Sequence, residues 1–143
     1  MTYLLAPVGS ATTRHEGVDG VIDWHLHPDH AGVWTSSPHA RICRGMRLVA
    51  KVSGAKIIGL TGTVIGTEPE RRPITLDDGR QLDWCYAVGW DPKPSRPTPA
   101  IELGAPYADR LQSMRFIDRD TFLVAYRALH GGDPPRQDLP RNT

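Results

Sequence analysis

Leu82-Asp83-Trp84-Cys85-Tyr86-Ala87-Val88-Gly89-Trp90 is the stretch that decides the fold. A period of two sets Leu82, Trp84, Tyr86, Val88 and Trp90 on one face and Asp83, Cys85 and Ala87 on the other. One wall of an antiparallel barrel reads this way. Immediately upstream, Asp77-Asp78-Gly79-Arg80 lies between Ile74-Thr75-Leu76 and Gln81-Leu82, a hairpin signal. Thr67 to Arg72 reads as a polar loop. Further back, Met46 to Val52 alternates apolar residues onto one face, and Ser53-Gly54-Ala55 turns it into Lys56 to Ile65. Gly59 and Gly62 in that second strand suit tight curvature or a close backbone approach. Thr2 to Val8 reads as a first strand and Ser113 to Ile117 as a last one. Asp118 then caps a helix running to about His130, with Phe122, Ala125, Tyr126 and Leu129 on its buried side. Gly131-Gly132 ends it.

The remaining segments are quieter. Residues 10–20 are polar and read as a loop with Arg14 and His15 exposed, followed by a short apolar group around Val21-Ile22. Ser36 or Ser37 can cap a helix over about 38–44, with Pro38 in its first turn and Gly45 as its stop. Asp91 to Ala100 holds four prolines and is irregular, and Ile101 to Leu103 reads as a brief pairing segment. The sum is a small α+β domain over residues 1–131, a β-barrel-like sheet of about six strands with two or three short helices. Residues 132–143, with three prolines and two arginines, have the composition of a disordered tail.

The totals bound the function. A chain of 143 residues can bury a core without disulfides or metal. A net charge of +1 excludes a surface built to seek polyanions everywhere, while leaving room for a local basic face. Two cysteines, Cys43 and Cys85, make no disulfide framework. With no leader-like opening and no apolar run of membrane-spanning length, the expectation is a soluble, cytoplasmic chain without a membrane partner.

His25-Leu26-His27-Pro28-Asp29-His30 resembles the H-x-H-x-D-H zinc motif of the metallo-β-lactamase fold. Imidazoles and a carboxylate at His25, His27, Asp29 and His30 could hold Zn²⁺ with a position open for water, which makes a zinc-dependent hydrolase the alternative reading. The context opposes it: only 24 residues precede the motif, and no histidine falls between His39 and His130 to complete the site. Ser36 and Ser37 near His39 have no carboxylate to orient a nucleophile and base, and no phosphate-binding or nucleophile-elbow motif is present.

Ala31-Gly32-Val33-Trp34-Thr35-Ser36-Ser37-Pro38 places an indole beside three hydroxyls, an arrangement suited to a small planar ligand. Gly32-Val33-Trp34-Thr35-Ser36 resembles the G-V-W-S-T motif of the YTH family. The strands from Leu48 to Val64, the Trp84 to Pro92 run and the Asp118-Arg119-Asp120-Thr121-Phe122 helix start are similar to elements of EVE and YTH domains in the PUA-like superfamily. The resemblance spans about residues 2–130. It implies a PUA-like barrel that holds a modified base in an aromatic cage, with no cofactor and no catalytic activity of its own, acting beside a nuclease or other partner. Methylated cytosine in DNA is the favoured ligand and a methylated base in RNA the next. By this resemblance Trp34 is one cage wall and Thr35 or Ser36 a polar partner. Trp24, Trp84 and Trp90 compete for the second wall, and Asp83 is placed to accept from an exocyclic amine. Arg14, Arg41, Arg44 and Arg47 are the candidates for phosphate contacts. A PUA-like fold kept for protein contacts alone is the third reading.

Overall fold

A computed structural model describes residues 3–9, 17–52, 54–75, 79–111, 113–136 and 139–140. The described residues form eight strands: β1 (Tyr3–Val8), β2 (Gly32–Thr35), β3 (Arg47–Val52), β4 (Ile57–Val64), β5 (Glu70–Thr75), β6 (Gln81–Trp90), β7 (Thr98–Pro99) and β8 (Arg115–Ile117). The helices are α1 (Gly17–Leu26), α2 (Ala100–Leu103) and α3 (Arg119–His130), with a 3-10 turn at Pro28–His30. No helix among the described residues is long and apolar enough to cross a membrane.

The chain is an α+β fold whose mixed sheet, ordered β2-β6-β4-β3-β1-β8, curls into a half-barrel. β1 and β3 run parallel, and their neighbours pair antiparallel. β6 is the pivot. Residues 84 and 85 pair with β2 and also with β5, so those two strands occupy opposite edges of β6. Past that point β4 takes up pairing with residues 88–90.

β1 and β3 are buried on both faces, and alternation sorts their side chains between two cores. Leu4, Ala6, Val8, Leu48, Ala50 and Val52 point into the half-barrel, where they meet Val33, Tyr86, Val88 and the α1 residues Val21 and Ile22. Tyr3, Leu5 and Val49 point outward and are covered by Phe122, Ala125 and Leu129 of α3. The register slips between Ala50 and Lys51, leaving Gly59 as the extra residue of a bulge. A Cβ there would lie 3.0 Å from the tip of Ile22, so the bare backbone gives α1 its seat against β4.

The expected α3 is present as read. Asp118 accepts from the Thr121 amide at 2.7 Å, and Gly131 closes the helix at φ +78°, donating to the Arg127 carbonyl. Four expectations are corrected. Residues 17–20 belong to α1 rather than to a loop, and the rest of the segment 10–20 lies outside the described residues. Residues 38–44 form turns rather than a helix: the His39 carbonyl accepts from the Ile42 amide at 3.0 Å in a tight turn and from the Tyr86 hydroxyl at 3.2 Å, and that hydroxyl accepts from the His39 amide at 2.7 Å. Ile101–Leu103 is helical within α2 rather than paired, and β5 begins at Glu70, inside the segment read as a polar loop. β2 and β7 are the strands beyond the expected six. In the segment read as a disordered tail, Pro134 is buried and Leu139 packs against the α3-side core.

Candidate ligand cleft

A cleft of about 1100 Å³ opens between the two ends of the curled sheet. One wall comes from the end of β1 (Pro7, Val8, Gly9) and the segment leading to β8 (Arg110, Leu111, Ser113, Met114). The other comes from β2 and the β5–β6 hairpin, with Ile74, Arg80, Gln81 and Leu82. Trp24, His25 and Trp34 meet between them, and Thr35, Ser36, Ser37 and His39 continue the lining.

Each aromatic is held by a specific device. Gly32 starts β2 because a Cβ there would meet the Cys85 sulfur and approach the Tyr86 carbonyl oxygen to 2.9 Å, so only glycine lets β2 lie this close to β6. Trp34 is 9 % exposed and its indole N–H donates to the Arg72 carbonyl at 2.8 Å, which fixes the ring and satisfies its polar atom. The Trp24 ring lies 5.8 Å from that of Trp34 and stacks on His30 at 4.0 Å with planes 5° apart. His25 packs edge-on to Trp34, with ring centroids 6.1 Å apart.

His25 is the unexpected member. It is 3 % exposed, and its Nε2 accepts from the Gly9 amide at 3.3 Å. An acceptor Nε2 leaves the proton of the neutral ring on Nδ1, which is buried. Burial lowers its pKa from 6.5 to about 4, opposed by the Gly32 backbone and reinforced by His30. The ring is therefore neutral at physiological pH.

The four residues of the histidine motif are not brought together. His25 is turned into the fold, whereas His27, Asp29 and His30 lie on the 3-10 turn. His27 Nδ1 accepts from the Asp29 amide at 3.1 Å, and His30 is stacked on Trp24. Among the described residues, no three His, Cys, Asp or Glu side chains are grouped so that they could hold a metal ion. The spacing that resembles a zinc motif is instead a helix end followed by a tight turn.

Of the residues expected to contact a base, Trp24, Trp34, Thr35 and Ser36 line the cleft. The Thr35 hydroxyl is already committed, donating to the Ser37 carbonyl at 2.8 Å. Trp90 and Asp83 do not line it. Trp90 packs on the core inside the half-barrel, and Asp83 accepts from the Gln81 amide at 2.6 Å, reaching the cleft only through that side chain. The proposed phosphate contacts fare differently again. Arg47 is a core residue, 1 % exposed, gripping Asp91 through two hydrogen bonds of 2.8 and 3.1 Å and donating to Thr63. Arg41 lies 4.6 Å over the Phe116 ring, Arg44 is exposed away from the cleft, and Arg14 lies outside the described residues.

The sequence reading passes over Arg80, Gln81, Arg110 and Met114, which enter the cleft from remote parts of the chain. One local signal does bear on Arg110. Lys51, on the outward face of β3 and 7 % exposed, donates to the Tyr107 carbonyl at 2.6 Å and the Asp109 carbonyl at 2.8 Å. A buried lysine needs such acceptors, and here they fasten the segment that carries Arg110.

No protein-family model and no curated protein matches the chain. Among solved structures it is similar to the NMR structure of Rpa0253 from Rhodopseudomonas palustris, with 19% sequence identity and a TM-score of 0.54 over 88% of this chain and 92% of that one. That likeness is one of fold.

Proposed function

We propose that this chain is a PUA-like, non-catalytic binding module that holds one modified nucleobase in the cleft. Methylated cytosine in DNA is the first candidate and a methylated base in RNA the second. The observation that carries the reading is the aromatic corner of Trp24, His25 and Trp34 with Thr35, Ser36 and Ser37 at its edge. Stacking a base on an aromatic side chain is worth about 1–3 kcal/mol, comparable to the few kcal/mol needed to unstack it. Additional contacts must therefore come from the walls. Gln81 supplies both donor and acceptor for a base edge, and Met114 an apolar surface against a methyl group. A hydrolase built on His25, His27, Asp29 and His30 has no comparable support, since those side chains do not converge.

The test is a fluorescence-anisotropy titration of single-stranded DNA and RNA oligonucleotides with and without 5-methylcytosine. Tighter binding of a methylated strand is expected, and Trp34→Ala should abolish the preference. Because Trp34 is largely buried, Trp34→Phe serves as the variant that keeps the packing, and circular dichroism checks the fold of both. Equal affinity of the wild type for all four strands refutes the proposal.

A further inference from the structure

The cleft differs from the rest of the chain in the sign of its charges. Over the whole sequence 17 Lys and Arg nearly balance 16 Asp and Glu. Among the described residues that line the cleft, none is Asp or Glu, whereas two are arginines, Arg80 and Arg110. This is a segregation of charge within a nearly neutral protein, and a concave site with low-dielectric walls concentrates the resulting field.

The two arginines come from opposite walls. Arg80 follows Gly79 where β5 turns into β6, and Arg110 follows the two carbonyls fastened by Lys51 on the approach to β8. Both are exposed residues of the cleft lining. Size points the same way. At about 1100 Å³ the cleft lies at the upper end of small-ligand sites, and a lone base would leave most of it unfilled. A sugar and its phosphates would occupy the space between the aromatic corner and the two walls.

From this we infer that the cleft takes its planar ligand as a nucleotide, with Arg80 and Arg110 holding phosphate oxygens from opposite walls. The inference rests on the base-binding reading and adds the anionic part of the ligand. The guanidinium fork suits this role because it offers paired donors to phosphate oxygens in a fixed geometry. The phosphate can belong to a free mononucleotide or to a residue within a single strand.

Three ligands separate these cases: 5-methyldeoxycytidine, its 5′-monophosphate, and a short single strand containing the same base. Each is titrated against wild type, Arg80→Ala and Arg110→Ala. The monophosphate should bind about tenfold more tightly than the nucleoside, and each variant should weaken the phosphate-bearing ligands by about tenfold while leaving the nucleoside unchanged. A strand that binds more tightly than the monophosphate, with a salt slope that falls by about 0.7 per arginine removed, identifies the polymer as the source. Equal affinities of strand and monophosphate identify the free nucleotide. If the nucleoside binds as tightly as both and neither variant matters, the inference is overturned, and persistent methyl preference would leave the base reading standing. Phosphate-dependent binding without methyl preference keeps the two arginines in their role and removes the modified-base reading. Absence of binding to all three ligands overturns both.

Discussion

Acidification should destabilise this protein through His25 before its carboxylates are protonated. The ring is buried, accepts from the Gly9 amide through Nε2, and has a pKa of about 4 against 6.5 for an exposed histidine. A depressed histidine pKa means that the unfolded chain binds the proton more readily. Above pH 6.5 the ring is neutral in both states and contributes no pH dependence. Between 6.5 and about 4 stability falls as pH falls, and below that the effect is complete. The full difference is about 3 kcal/mol, of which about 2.5 kcal/mol is lost by a pH of about 4.5. The structural reason is that a protonated Nε2 would point a hydrogen at the Gly9 N–H, exchanging a hydrogen bond for a clash of donors. His130 adds a loss of the same sign, since burial also lowers its pKa. Urea denaturation from a pH of about 7.5 to about 4.5, in wild type and His25→Gln, measures the effect. Glutamine can still accept from the Gly9 amide but does not titrate. The variant should keep the His130 contribution and lose that of His25. A variant that retains the full acid sensitivity would refute the assignment.

Two further predictions concern the packing. Asp91→Ala should cost about 3–5 kcal/mol, because it strands the Arg47 guanidinium, whose side chain is only 2 % exposed, whereas Arg47→Met should cost less. In the latter the Asp91 carboxylate keeps the Thr61 hydroxyl at 2.6 Å and some solvent, and the sulfur packs near Phe122; chemical denaturation giving the reverse order would contradict this. Gly62→Ala should lower stability by about 1–3 kcal/mol, since a Cβ there would lie 2.7 Å from Val88 and 2.8 Å from Trp90. Gly66→Ala, whose nearest neighbour would lie at 3.4 Å, should be close to neutral, and thermal melts of both glycine variants check the contrast.

What could be read in advance divides along physical lines. β3, β4, β6 and α3 carry strong local signals, a period of two in the strands and a cap-to-cap frame in the helix, and they are where the sequence places them. α1 carries a usable signal too, with Val18, Val21, Ile22, His25 and Leu26 at helical spacing. Gly17, Gly20 and the metal-like histidine pattern obscure it. The turns at 38–44 are different: nothing local in Pro38 to Arg44 foretells that a tyrosine 47 residues along the chain will hydrogen-bond both polar groups of the His39 backbone. The same distinction runs through the cleft. Trp34, Thr35 and Ser36 are visible because they are contiguous, while Arg80 and Arg110 become neighbours of the aromatic corner only once the sheet has curled. Arg47 shows the limit in the other direction, since an arginine in a strand gives no hint that Asp91 will draw it into the core.

The two carbonyls held by Lys51 bear on how a guest would be received. An irregular segment that forms one side of a recess normally gives up freedom when something docks, and that entropy is subtracted from the affinity. Here the ammonium group has already immobilised the backbone next to Arg110, so the ordering cost is met during folding instead. Loosening that tether, as in Lys51→Met, would slacken the rim without touching any contact to the guest, and the penalty would surface as faster release.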